Sequence, residues 1–169
     1  MNKAYLILGG NQGNKNQNLK NAIQLIEARI GEITKKSGIY LTKAWGNMSQ
    51  PDFYNQALSV ETNLSATELL TKLLAIEKEL GRTRTNEKWQ ERIMDIDILF
   101  FNDDIINEPN LKIPHPYVQE RRFVLIPMNE IAKEHIHPFL NKSIETLLNE
   151  CMDELKVSLV TNEQMTNGQ

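Results

Sequence analysis

The chain has one cysteine, Cys151, which excludes an intramolecular disulfide; its apolar helical spacing predicts a buried thiol rather than a nucleophile. No apolar run approaches the roughly 20 residues that a membrane-spanning helix needs. The N-terminal AYLIL is also too short for the apolar core of a secretory signal, so a reducing cytoplasm is the expected location. Basic side chains are in slight deficit, 19 against 22 acidic, for a net charge of −3. That balance gives no general case for nucleic acid, and any anion site has to be local. Repeats and low-complexity linkers are missing as well. What remains is 169 residues, 40% hydrophobic and 24% charged, enough for one domain with a real core. The expected boundaries are a single domain over residues 1–160 and a disordered tail over 161–169.

The most informative stretch runs from Gly81 to Phe101, GRTRTNEKWQERIMDIDILFF. It opens as an arginine-rich loop and closes as an apolar strand carrying Asp95 and Asp97. Side chains two apart on a strand point the same way, about 7 Å apart. The two carboxylates therefore share one face, and Met94, Ile96 and Ile98 share the other, which suits burial. Paired carboxylates repel unless a proton or cation lies between them. Magnesium suits such a pair, because it takes one or two carboxylates together with phosphate oxygens. In the loop, Arg82, Arg84, Lys88 and Arg92 outweigh Glu87 and Glu91 by two charges. Guanidinium forks match phosphate geometry. Either half alone has an ordinary structural explanation, a salt-bridged strand or a solvated loop. Together, with Trp89 in an otherwise polar loop, they point to a nucleoside triphosphate site.

AYLIL reads as a buried strand. GGNQGN follows as a strand-to-helix turn; it lacks the Gly-Lys-Ser/Thr of a P-loop. Leu19, Ala22, Ile23, Ile26 and Ile30 repeat at helical spacing, with Gly31 expected as the stop. Residues 33–43 and 53–62 read as strands. Ser65 and Glu68 form a capping box for a second helix running to Gly81, with an apolar stripe of Leu69, Leu70, Leu73, Leu74, Ile76 and Leu80. Glu77 lies at the edge of that stripe. Pro114-His115-Pro116 is a stiff corner that could present its histidine to a phosphate. His135 and His137, without further ligands nearby, read as surface residues. A last helix from Ser143 to about Leu155 and a strand KVSLVT close the chain. The order strand, helix, strand, strand, helix, strand predicts a ferredoxin-like α+β sandwich, an antiparallel sheet with helices on one face plus C-terminal additions.

Five blocks in this order carry a resemblance: Gly9-Gly10-Asn11, Gln50-Pro51-Asp52-Phe53-x-Asn55, Gly81-Arg82-x-Arg84, Trp89-x-x-Arg92-x-x-Asp95-x-Asp97, and Pro114-His115 with Arg121-x-Phe123. Over nearly its whole length the chain resembles the 6-hydroxymethyl-7,8-dihydropterin pyrophosphokinases of folate biosynthesis. The resemblance implies transfer of the β,γ-diphosphate of ATP to the pterin hydroxymethyl group, leaving AMP. It implies two Mg2+ ions on Asp95 and Asp97, and catalytic arginines at Arg82 and Arg92. It places Glu77, Arg82, Arg84, Trp89, Arg92, the Ile98 backbone, His115 and Arg121 around ATP. Thr42, Phe53, Asn55, Trp89, Asp95 and Phe123 would hold the pterin. Thr85, Gln90, Glu91 and Trp45 depart from the family pattern, and Tyr117 stands outside the implied site. The implied partners are small molecules only, ATP and the dihydropterin alcohol, with no nucleic acid or membrane, and the expected state is a monomer.

Two other classes fit parts of the sequence. A different metal-dependent nucleotide transferase on this sandwich would keep the ATP half and lose Phe53, Asn55 and Phe123. A ferredoxin-like RNA-binding module would place aromatics on an open sheet face and carry a basic charge. The −3 charge and the two strand aspartates speak against the module.

Overall fold

A computed structural model describes residues 1–43, 51–81 and 93–161. The chain runs β1 (Asn2–Gly10), α1 (Lys15–Arg29), β2 (Gly31–Lys36), β3 (Tyr40–Thr42), β4 (Phe53–Thr62), α2 (Ala66–Gly81) and β5 (Asp95–Phe101). A small hairpin follows, β6 (Ile106–Glu108) and β7 (Leu111–Ile113), then α3 (Arg122–Ala132), α4 (Ile144–Glu150) and β8 (Val157–Leu159). The main sheet has the order β5-β1-β4-β3-β8, with β2 also paired to β4. All of its neighbouring pairs are antiparallel. Two helical crossovers, β1-α1-β2 and β4-α2-β5, each skip one strand, which is the ferredoxin-like arrangement expected from the sequence.

Local chemistry sets the helix ends. The Asn14 side chain accepts from the Gln17 N–H and starts α1. At α2 the capping box forms both ways: Glu68 N–H donates to Ser65 Oγ (3.1 Å) and Ser65 N–H to Glu68 Oε1 (2.8 Å). Leu69, Leu73, Ile76 and Leu80 are buried as expected, whereas Leu74 is exposed, because it lies one residue off the inward stripe. Gly31 is not a left-handed helix stop. It opens β2, and a Cβ there would collide with the backbone carbonyl of Glu61 on β4. Gly9 and Gly10 likewise continue β1 instead of turning; the turn comes later, at Gly13 with φ 59°.

The sheet separates two cores. One face, with Leu6, Leu8, Leu58, Val60, Ile96 and Ile98, packs against α1 and α2. The other, with Tyr5, Ile7, Ala57, Leu99 and Phe100, is covered by α3 and α4, so the C-terminal additions make a third layer. Pro127 sits inside α3 and is buried; lacking an N–H, it cannot donate to the Phe123 carbonyl one turn earlier. The last helix is shorter than expected and ends at Glu150, leaving Cys151 half-buried at its C-terminal end. His135 and His137 are not surface residues. His137 is 4% exposed, and its Nδ1 accepts from the Phe139 and Leu140 N–H groups (3.2 and 3.1 Å). His135 packs edge-on against Phe100 and beside Tyr5. No helix among the described residues is long and apolar enough to cross a membrane.

Gly31→Ala tests the close approach of β2 to β4. Overpacking of this kind costs about 1–3 kcal/mol, so the urea midpoint of unfolding should fall; an unchanged midpoint would contradict the contact.

Candidate active site

The two-residue period of β5 builds the site's floor. Ile96 and Ile98 point into the core under α1 and α2, so Asp95 and Asp97 project from the opposite face and are exposed. They sit across from Gly9 and Ile7 of β1. On the same face α3 and α4 cover the sheet around Tyr5, Ile7, Ala57, Leu99 and Phe100. Beyond that cover lies a cleft of about 260 Å³, whose lining includes Thr42, Phe53, Asn55, Asp95, Asp97, Arg121 and Phe123. Of the described candidate residues, these seven line one cleft, whereas Glu77, Ile98 and His115 do not line it. Arg82, Arg84, Trp89 and Arg92, with Thr85, Gln90, Glu91 and Trp45, lie outside the described residues.

Several contacts fix this constellation. Gly9 is paired with Asn55, and a Cβ at Gly9 would collide with Asn55 Oδ1, so the missing side chain makes room for the amide. Thr42 is 3% exposed and its Oγ1 has no hydrogen-bond partner among the described residues. A buried hydroxyl is ordinarily satisfied, so this one is suited to a ligand in the cleft. The Glu77 carboxylate accepts from the Ile96 N–H at 2.6 Å. One of its oxygens is thereby committed to the strand between the aspartates, tying α2 to β5. The Ile98 side chain is buried away from the cleft, which leaves only its backbone for a ligand.

His115 stands near Asp97 and Arg121. Burial pulls its pKa down, as does the Arg121 charge, while Asp97 pulls it up. The Arg121 guanidinium lies over the Tyr117 ring (4.8 Å to the centroid) and near Phe123 (5.7 Å), and the Tyr117 N–H donates to His115 Nδ1 (3.3 Å). Tyr117, set aside in the sequence reading, is thus the platform under Arg121.

Sequence reasoning missed three further features. Leu155, after α4, lines the cleft. Asp153 bonds to the backbone at the start of α3. Glu130 in α3 accepts from the Gly38 N–H (3.1 and 3.2 Å) and the Tyr40 hydroxyl (2.7 Å), locking α3 to the strand that carries Thr42. Burial and this carboxylate push the Tyr40 phenol up to about 12, so it stays a donor. Neither of the last two acids belongs to a motif in the sequence.

A ferredoxin-like sheet with two carboxylates beside a slot walled by Phe53 and Phe123 defines a class: an α+β protein whose cleft suits a flat polar ring next to a polyanion. The comparisons are more specific. The family model described as 7,8-dihydro-6-hydroxymethylpterin-pyrophosphokinase matches residues 5–133, and the chain belongs to this family. It is 40% identical over 145 residues to the 2-amino-4-hydroxy-6-hydroxymethyldihydropteridine pyrophosphokinase of Aquifex aeolicus, covering 86% of this chain and 89% of that one. Against the enzyme of the same name from Bacillus subtilis it is 41% identical over 134 residues, covering 79% and 80%. Among solved structures, the Plasmodium falciparum HPPK-DHPS crystal structure with SDX-DHP superposes with a TM-score of 0.71 at 23% identity. That match covers 89% of this chain and 43% of the Plasmodium chain, and it supports the fold alone.

All three histidines are held below their usual 6.5, chiefly by burial. The unfolded chain therefore binds protons more readily, and stability from these groups should be lost as pH falls from about 6.5 through their lowered values. NMR titration should place the three midpoints below 6.5, and Asp97→Asn should lower that of His115 further. A rise at His115 would contradict the assigned attraction.

Proposed function

We propose that this chain catalyses magnesium-dependent transfer of the β,γ-diphosphate of ATP to the hydroxymethyl group of 6-hydroxymethyl-7,8-dihydropterin in folate biosynthesis. The hydroxymethyl oxygen attacks the β-phosphorus and loses its proton to solvent. The bond from that phosphorus to the α,β-bridging oxygen breaks, and AMP leaves with the electron pair. The observation that carries the reading is the meeting, in one cleft, of Thr42, Phe53, Asn55 and Phe123 with Asp95, Asp97 and Arg121.

Each half has its chemistry. Phe53 and Phe123 line the cleft and supply rings on which a flat heterocycle can stack, where stacking on a base is worth roughly 1–3 kcal/mol. Asn55 offers both a donor and an acceptor to an amide-like edge, and Thr42 Oγ1 offers a hydroxyl. Asp95 and Asp97, exposed on one strand face, fit a hard cation that also takes phosphate oxygens, and in this reading they hold two Mg2+ ions. Bound magnesium neutralises triphosphate charge and stabilises entering and leaving oxygens. Arg82 and Arg92 would clamp the diphosphate, and Arg84, Trp89, Glu77, the Ile98 backbone, His115 and Arg121 would bind the rest of ATP. Such a transfer asks the protein for positioning and charge compensation, not a covalent intermediate. The reading includes a monomer working in the cytoplasm.

Incubation with magnesium-ATP and the dihydropterin alcohol should yield AMP; ADP as the nucleotide product would sink the proposal. Asp97→Asn should abolish turnover with the thermal midpoint nearly kept, because a carboxamide lacks the charge that holds magnesium. Full activity in that variant would remove the metal assignment. Gly9→Ala, by displacing Asn55, should raise the pterin KM about tenfold with the ATP KM within about twofold. An unmoved pterin KM would separate Asn55 from substrate binding.

A further inference from the structure

We propose that the segment from Cys151 to Lys156 is part of the pterin-binding surface and that Asp153 is the positioning residue that holds it there. The inference rests on the functional reading above and extends it to a part of the chain beyond the residues matched by the family model, which end at 133.

Leu155 lines the same cleft as Thr42, Phe53, Asn55 and Phe123, so an apolar side chain from the far C-terminal region faces the place assigned to the pterin ring. The segment is irregular, running between the end of α4 at Glu150 and the start of β8 at Val157. Its exit is fixed by the sheet, since Val157 pairs with Thr42. Its middle is fixed by one carboxylate. Asp153 Oδ1 accepts from the Leu155 N–H (2.9 Å), and Asp153 Oδ2 accepts from the Arg122 N–H (3.1 Å). Arg122 is the first residue of α3 and lies between two cleft residues, Arg121 and Phe123.

The first turn of a helix has N–H groups with no partner inside the helix. The residue capping α3, Arg121, makes no side-chain cap bond, so Asp153 supplies the acceptor from 31 residues away. A negative charge is favoured there by the helix dipole. The Asp153 side chain therefore ties the Phe123 and Leu155 walls to each other. Asp153 acts through these two residues and does not touch the substrate.

The test compares Asp153→Ala, Asp153→Asn and Leu155→Ala by steady-state kinetics and by pterin binding followed through pterin fluorescence. Asp153→Ala should raise the pterin KM and Kd about tenfold or more, with kcat and the ATP KM within about twofold. Asp153→Asn keeps one acceptor oxygen but no charge, and should fall between wild type and Asp153→Ala. Leu155→Ala, which leaves both hydrogen bonds intact, should raise the pterin KM by about threefold or more. If Asp153→Ala does not fold, the other two variants decide. Unmoved pterin KM and Kd in both, or a loss of kcat that merely tracks loss of folded protein, would overturn the proposal. Wild type forming no AMP would instead overturn the functional reading, so the two failures are distinguishable.

Discussion

The site depends on the two-residue period of β5. Because Ile96 and Ile98 are committed to the core under α1 and α2, Asp95 and Asp97 have no choice but the opposite face. A register slip of one residue would bury both carboxylates and expose both isoleucines. Burying an unpaired carboxylate is far costlier than burying an aliphatic side chain is favourable, so the register is strongly specified. The same strand is also gripped from below, where Glu77 holds the Ile96 N–H. Core packing and acid placement are two consequences of one alternation.

The second requirement is a wall at a fixed height above that floor, and α3 provides it. The helix covers the lower part of the sheet face and stops where the cleft begins, presenting Phe123 from its first turn. It is held at both ends by carboxylates: Asp153 at its N-terminus, and Glu130 near its C-terminus bonded to Gly38 and Tyr40. Through Tyr40, which pairs with Asn55, the Glu130 contact reaches the strands carrying Thr42 and Asn55. The cleft is thus a gap between rigid elements, the kind of support that precise placement of two substrates needs.

Much of this was legible in the sequence because it is local. The alternation of MDIDIL, the Ser65–Glu68 box and the five ordered motif blocks each lie within a few residues of their consequence. Seven of the described residues that the sequence singled out line one cleft. What escaped reading depends on contacts between distant segments. Gly31 looked like a helix stop, yet its role is to let the Glu61 carbonyl approach. Residues 124–128, VLIPM, belong to α3 although Pro127 argues locally against a helix, because burial overrides it. His137 looked like a surface residue because its partners are backbone N–H groups, which no side-chain pattern advertises. Asp153 and Leu155 sit in an irregular stretch with no motif, and the closing strand together with the Asp153 hydrogen bonds brings them to the cleft.

The most direct measurement of the central claim is a crystal structure of the protein with magnesium and a non-transferable ATP analogue. The account predicts cations bonded to carboxylate oxygens of both Asp95 and Asp97 and to the analogue's phosphate oxygens. Cations touching the phosphates alone, with the two aspartates turned away into contacts with lysines, would contradict it.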